Sequence, residues 1–267
     1  MSNKQGDFIW YELMTSDADA AEAFYGPLIG WNFSGSGQAD MDYRQISIDG
    51  DGVGGILTLT PEMLSGGAAP CWAGYINVDD VDASARSIKE AGGTIHREPW
   101  DIPGVGRVAF VADGQGVPFY IMAPTPPADN PDATSNAFAA TQPMVGHCAW
   151  NELATTDPKD AKAFYSQQFG WEQDGDMDMG PMGKYEFLKV GDERGFMLGA
   201  LMPKPDEMPQ SAWTYYFRVP DIDKAVVAIN ANGGTVTWEP TEIPGGDYSL
   251  SAIDPQGANF ALVGPRK

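Results

Sequence analysis

Trp10-Tyr11-Glu12-Leu13-Met14-Thr15-Ser16-Asp17 returns 140 residues later as Trp150-Asn151-Glu152-Leu153-Ala154-Thr155-Thr156-Asp157, and this pair of octapeptides decides how the chain is read. Phe24-Tyr25 and Gly30-Trp31 recur at the same offset as Phe164-Tyr165 and Gly170-Trp171, so nothing is inserted between these matches. Further on, the offset is 141: Asp80 matches Asp221, Gly92-Gly93 matches Gly233-Gly234, and Glu98-Pro99 matches Glu239-Pro240. Ile102-Pro103-Gly104 likewise matches Ile243-Pro244-Gly245, and Asp113-Gly114-Gln115-Gly116 matches Asp254-Pro255-Gln256-Gly257. Co-linear matches over this distance mean a duplication. Between the copies runs Ala123-Pro124-Thr125-Pro126-Pro127-Ala128-Asp129-Asn130-Pro131, whose prolines and small polar residues resist helix and sheet alike. The expected domains are residues 1–124 and 144–267, with 125–143 as the linker.

Each copy carries the same element pattern. Residues 8–14 alternate as a strand. Asp17 then stands as an N-cap, Ala21, Phe24, Tyr25 and Leu28 fall at helical spacing, and Gly30 ends the helix. In the second copy Asp157-Pro158 supplies both the cap and a proline at the first helical position. Short β-like runs follow, at 31–34, 43–48 and 53–59 in the first copy and at 185–190 and 195–201 in the second. The scheme then restarts at Gly74-Tyr75-Ile76-Asn77-Val78, with Asp80, a helix over 81–91, the Gly92-Gly93 stop and three strands ending at 119–122. Residues 213–219, Asp221, a helix over 222–232 and strands to 263 repeat it. Each copy is therefore two βαβββ modules, four in the chain, and the fold class is α+β.

Composition sets the function classes aside. With 16 Lys and Arg against 37 Asp and Glu, the net charge is −21, and a surface this negative repels nucleic-acid phosphates and anionic lipid. Neither a nucleic-acid nor a membrane partner is expected. Two cysteines, Cys71 and Cys148, in no paired motif give no disulfide framework and no thiolate zinc site. The first residues lack a basic-then-apolar leader, and no apolar run reaches the length of a membrane span, so a cytoplasmic location is the expectation; monomer and homodimer both stay open. No phosphate-binding loop occurs, and no serine has a histidine placed to activate it.

The strand, Asp, helix, Phe-Tyr-x4-Gly-Trp sequence at each copy's start resembles the vicinal oxygen chelate superfamily. So do Val-x-Asp-helix-Gly-Gly at each second module and Asp-x-x-Gly before each last strand. That superfamily includes glyoxalase I, bleomycin-resistance proteins, fosfomycin-resistance enzymes and extradiol dioxygenases. Glu-Pro-x-Asp/Glu-Ile-Pro-Gly at 98–104 and 239–245 looks like its two-domain glyoxalase-like bacterial members. The resemblance covers nearly the whole chain outside the linker. It implies paired modules curled into a cup with helices outside, and one fold of this kind hosts several chemistries.

By strand alternation Tyr11 and Leu13 pack on the helices, so Trp10, Glu12 and Met14 face the cup, as do Trp150, Glu152 and Ala154. Catalytic members of the superfamily hold a divalent metal on the first strand of each module and on a closing glutamate. The matching positions here are Trp10, Trp150, Ala73, Thr214, Tyr120 and Ala261, none of which is the imidazole, glutamine or carboxylate that holds a divalent ion in the superfamily. His96 and His147, one per copy, cannot supply the two histidines of an extradiol iron site and read as structural. No metal and no other cofactor is expected.

Glu12 and Glu152 are the candidate catalytic residues, as a general base or as an anchor for a polar ligand. The competing reading pairs each with a buried amide or with an arginine such as Arg44 or Arg218, because a carboxylate on a half-buried strand is costly otherwise. Trp10, Tyr75, Asn77, Tyr120, Trp150, Tyr216 and Arg218 are the candidate ligand-binding residues, with Tyr43 and Tyr185 as further ones. Such an aromatic lining suits a small planar or hydrophobic molecule. Three functions follow: a metal-free binding protein for detoxification or resistance, a metal-dependent glyoxalase-type lyase or isomerase with non-standard ligands, or a module whose cups are filled by their own aromatics. Whether the chain is catalytic stays open at this level.

Overall fold

The computed structural model describes residues 3–35, 42–128 and 130–267. The first module is β1 (Phe8–Thr15), α1 (Ala18–Ile29), β2 (Asn32–Gly35), β3 (Tyr43–Ile48), β4 (Asp51–Thr58) and a short α2 (Pro61–Ser65). The second is β5 (Cys71–Asn77), α3 (Val81–Glu90), β6 (Thr94–Ile102), β7 (Gly106–Ala112) and β8 (Pro118–Pro124). The third is β9 (Cys148–Thr155), α4 (Pro158–Phe169), β10 (Trp171–Asp178), β11 (Lys184–Val190) and β12 (Met197–Pro203). The fourth is β13 (Ala212–Arg218), α5 (Ile222–Ala231), β14 (Thr235–Glu242), β15 (Tyr248–Ile253) and β16 (Asn259–Gly264).

The helix signals act as their chemistry requires. Asp17, Asp80, Asp157 and Asp221 each turn a carboxylate back onto an amide of the first helical turn, satisfying a donor that has no partner within the helix. Helices α1 and α4 end on Gly30 and Gly170 at φ 94° and 70°, the left-handed region where a Cβ would be strained. One strand departs from the expectations. Residues 171–178 form β10, exposed after Trp171, and the run Glu172-Gln173-Asp174-Gly175-Asp176 has no apolar alternation to reveal it.

The strands make two eight-stranded sheets with the same order, β2-β3-β4-β1-β5-β8-β7-β6 and β10-β11-β12-β9-β13-β16-β15-β14. Within each module the first strand runs parallel to the strand it pairs with from the same module, β4, β8, β12 or β16, and the hairpin pairs β2–β3, β3–β4, β6–β7, β7–β8, β10–β11, β11–β12, β14–β15 and β15–β16 are antiparallel. Register is the same in the two sheets. Glu12 lies opposite Gly55 and Glu152 opposite Ala200; Tyr75 lies opposite Tyr120 and Tyr216 opposite Ala261.

The sheets follow the sequence repeat, whereas close packing groups the modules differently. One compact unit joins the residues up to Ile9 with Gly74–Ser135 and Asn151–Trp213; the other joins Trp10–Ala73, Asn136–Trp150 and Thr214–Lys267. Each unit holds the same buried lock. In one, Tyr165 Oη donates to Asp113 Oδ2 at 3.1 Å and accepts from Trp213 Nε1 at 3.0 Å. In the other, Tyr25 Oη donates to Asp254 Oδ2 at 3.0 Å and accepts from Trp72 Nε1 at 3.2 Å. The second oxygen of each aspartate accepts two amides of its own turn, Gln115 and Val117 or Gln256 and Ala258. Burial raises both aspartates above the ordinary carboxylate range, and those hydrogen bonds oppose the rise. Trp171 Nε1 donates to Gly6 O and Trp31 Nε1 to Gly146 O, which seats the segment ahead of each opening strand. The Phe-Tyr-x4-Gly-Trp and Asp-x-Gln-Gly motifs are thus framework, each copy's tyrosine locking onto the closing turn of the other copy.

Candidate functional site

Glu12 sits in the middle of β1 and is 2% exposed. Its partner is the phenol of Tyr43 on β3, whose hydroxyl also accepts a 2.8 Å hydrogen bond from Trp10 Nε1. Burial and the adjacent Glu12 charge raise Tyr43 well above the usual phenol range, so the hydroxyl stays protonated. Gly55 permits this closure: a Cβ there would occupy the Tyr43 hydroxyl. Cys71, half-buried, is pushed up to about 11 by burial and by Glu12, and the buried Cys148 up to about 12, so neither is an activated nucleophile.

The second copy repeats the pair in a different setting. Tyr185 Oη on β11 donates to Glu152 Oε2 at 2.7 Å, but Glu152 is half-buried and the residue opposite it is Ala200 rather than glycine. Trp150 is also half-buried. The arginines weighed as partners for these carboxylates are engaged elsewhere. Arg44 is held by Asp19, Glu22 and Asp42, and Arg218 Nη2 lies 2.7 Å from Asp247.

The second modules differ more. On β5 both faces are buried, with Tyr75 at 6% and Asn77 at 4% exposure. Tyr75 and Tyr120 stack at 4.2 Å, Phe110 lies 4.5 Å from Tyr120, and His96 lies 5.3 Å from Phe110. This makes a row across four strands, Arg97, Phe110, Tyr120, Tyr75, with the Arg97 guanidinium 3.6 Å above the Trp100 ring. On β13 only alternate residues are buried, and Thr214, Tyr216 and Arg218 are half-exposed. The matching row reads Trp238, Ser251, Ala261, Tyr216.

Of the sequence candidates, the structure brings Trp10 and Glu12 together through Tyr43, and Tyr75 together with Tyr120. Glu152 has Tyr185 as its partner. Tyr43 and Tyr185, at equivalent places in the repeat, are the direct hydrogen-bonding partners of the two carboxylates. Sequence alternation does not mark Trp238, because register shifts on both sides of it displace the pattern that would have assigned its face. His147 is buried, its Nδ1 donating to the Asn136 carbonyl at 2.7 Å, and reads as structural. Among the described residues no group of three His, Cys, Asp or Glu side chains could hold a metal ion, and no helix is long and apolar enough to cross a membrane.

Known proteins place this geometry. The mycobacterial protein CFP32, which carries a glyoxylase name (Mycobacterium tuberculosis, strain CDC 1551 / Oshkosh), is 32% identical over 98% of this chain and 96% of its own length. The anthracycline biosynthesis protein DnrV of Streptomyces peucetius is 28% identical over 95% of this chain and 91% of its own. Among solved structures, the Mn(II)-bound glyoxalase from Novosphingobium aromaticivorans superimposes with a TM-score of 0.63 at 16% identity, covering 98% of this chain and 83% of that one. The 2,2',3-trihydroxybiphenyl 1,2-dioxygenase of Sphingomonas wittichii strain RW1 gives 0.65 at 15% identity, covering 98% and 91%. At these identities the structures share the fold. The family model described as Glyoxalase/Bleomycin resistance protein/Dioxygenase superfamily matches twice, over residues 8–121 and 144–262, and the chain belongs to that family.

Proposed function

We propose that the chain binds a small hydrophobic or aromatic molecule and serves detoxification or resistance as a cytoplasmic protein. In this reading it works without a metal at the superfamily's usual positions. The observation that carries the proposal is the Tyr185–Glu152 pair, a 2.7 Å hydrogen bond at a half-buried carboxylate. A carboxylate fixed in this way accepts a ligand N–H or O–H in one geometry, or takes a proton from it.

The donor set supports the metal-free part of the reading. Indole, methyl and the stacked Tyr120 phenol stand where a divalent ion would need imidazole or carboxylate, and Thr214 contributes a lone neutral hydroxyl. These groups do not fit the ion. The name of DnrV supports an aromatic ligand, since anthracyclines are planar polycyclic molecules. Glu12 is buried in one compact unit and the Tyr75–Tyr120 stack in the other, which favours first-copy faces each filled by its own side chains and leaves ligand binding to the matching faces of the second copy.

The glyoxylase name of CFP32 favours a second reading, a glyoxalase-type lyase or isomerase in which Glu12 or Glu152 would be a non-standard ligand to a metal. Elemental analysis of the purified protein divides the two. Stoichiometric nickel, zinc, manganese or iron would install the second reading in place of the first. For the first, a thermal-shift screen of small aromatic molecules should give stabilising ligands whose effect falls in Glu152→Gln and Tyr185→Phe, with the melting temperature of the free protein little changed. Hits indifferent to both substitutions would remove the Tyr–Glu pair from the site.

A further inference from the structure

The second half-sheet, β14-β15-β16-β13, presents a feature that the Tyr185–Glu152 pair leaves unused. Trp238 is 60% exposed on edge strand β14, a large apolar ring left in water, its indole N–H tied to Thr241 Oγ1 at 3.0 Å. Directly across the ladder stands Ser251, half-exposed, then Ala261, fully buried, then the half-exposed Tyr216. Two aromatic side chains therefore flank two small ones. Three strand spacings separate the outer pair, roughly 14 Å.

The first copy shows what this row accommodates. At the Ser251 position it carries Phe110, at the Ala261 position Tyr120, and their rings lie 4.5 Å apart while Tyr120 stacks on Tyr75. The rung holds aromatic rings when the chain supplies them. In the second copy the chain supplies serine and alanine at these positions and places an exposed indole next to the serine, where the first copy has Arg97 with its guanidinium over Trp100.

We infer that a planar fused-ring aromatic molecule stacks on Trp238 over Ser251, occupying the place that Phe110 fills in the first copy. Arg218, two residues along β13 from Tyr216, has more N–H donors than its Asp247 partner accepts, so it recognises an acceptor oxygen on the ligand edge. The net charge of −21 disfavours polyanions, which makes the matching class a neutral ring system carrying carbonyl or phenol oxygens. This assignment rests on the small-molecule reading above for the kind of ligand, and its surface is a separate one, since Trp238, Ser251 and Arg218 belong to one compact unit and the Tyr185–Glu152 pair to the other.

The test titrates the full-length protein with 1,4-dihydroxyanthraquinone, followed by tryptophan quenching and calorimetry. The wild type is expected to bind, and Trp238→Ala to bind roughly tenfold more weakly through the loss of stacking. Ser251→Phe should lose binding to a similar degree, because it restores the ring of the first copy. Ser251→Thr, which adds no ring, should keep both the melting temperature and the affinity, and it guards against a folding defect at this position. Unchanged affinity in Trp238→Ala and Ser251→Phe would overturn the inference. So would failure of the wild type to bind the quinone, and so would a dimer that Trp238→Ala converts to monomer in sedimentation, which makes Trp238 an interface residue. None of these three outcomes touches the broader proposal, which falls on stoichiometric metal in the purified protein or on screen hits that do not depend on Glu152 and Tyr185.

Discussion

Phe110, Tyr120 and Tyr75 fill one row of the first sheet; Ser251, Ala261 and Tyr216 occupy the same row of the second. Around each row the framework is unchanged, down to the tyrosine–aspartate lock with its tryptophan donor. The contrast extends to the carboxylates. Gly55 lets Tyr43 close over a buried Glu12, whereas Ala200 stands opposite a half-buried Glu152. A duplicated fold can therefore diverge by exchanging a few face residues while the lock that builds it stays fixed. In this chain one copy carries aromatic residues across the row, and the other carries serine and alanine between Trp238 and Tyr216.

The largest expected effect tests the filled row. Tyr120→Ala removes a stacked ring at 6% exposure and should cost about 3 kcal/mol or more, because the surroundings relax only partly around the lost volume. Tyr216→Ala, at a half-exposed site, should cost about 1 kcal/mol. Urea denaturation measures both. Equal losses would mean that the two faces are packed alike, and the contrast between them would be gone.

Tyr25→Phe and Tyr165→Phe come next and sharpen the other side of the comparison. Each leaves a buried aspartate oxygen and an indole N–H without their shared hydroxyl, a cost of about 1–3 kcal/mol. The two losses should agree closely, since the locks match residue for residue. A large difference between them would show that the framework has diverged along with the faces.

Most of this framework is legible in the sequence. Repeat offsets, aspartate caps and glycine stops are local signals, and the four long helices lie where those signals put them. Strand alternation also marks Glu12 and Glu152 as candidates. What the sequence withholds are relations across the sheet. That Tyr43 rather than Arg44 meets Glu12 depends on the ladder register and on the room left by Gly55. Strand β10 is hidden by its acidic, exposed composition, and α2 by its five-residue length. The motifs that carry the family resemblance are structural, which is why they announce the fold clearly and the chemistry hardly at all.

The smallest effect concerns pH. Burial raises the Asp113 and Asp254 carboxyls above their unfolded value, so the folded chain holds these two protons more tightly than the unfolded chain does. Acidification through the raised folded values therefore favours the fold at these two sites, and the gain is complete below the ordinary aspartate value of about 3.9. As pH rises through the folded values the contribution is lost. The exposed Asp42 and Asp82 behave oppositely: hydrogen bonds from Arg44 and Arg107 lower them, and their contribution disappears in acid. Asparagine does not titrate, so the deficit of Asp113→Asn or Asp254→Asn against wild type should widen as pH falls from 7 toward 4, by a similar amount in each. Denaturation midpoints across that range provide the measurement. A deficit that narrows in acid would mean that the lock holds a stabilised carboxylate anion, with the amide and tyrosine hydrogen bonds outweighing burial at both aspartates.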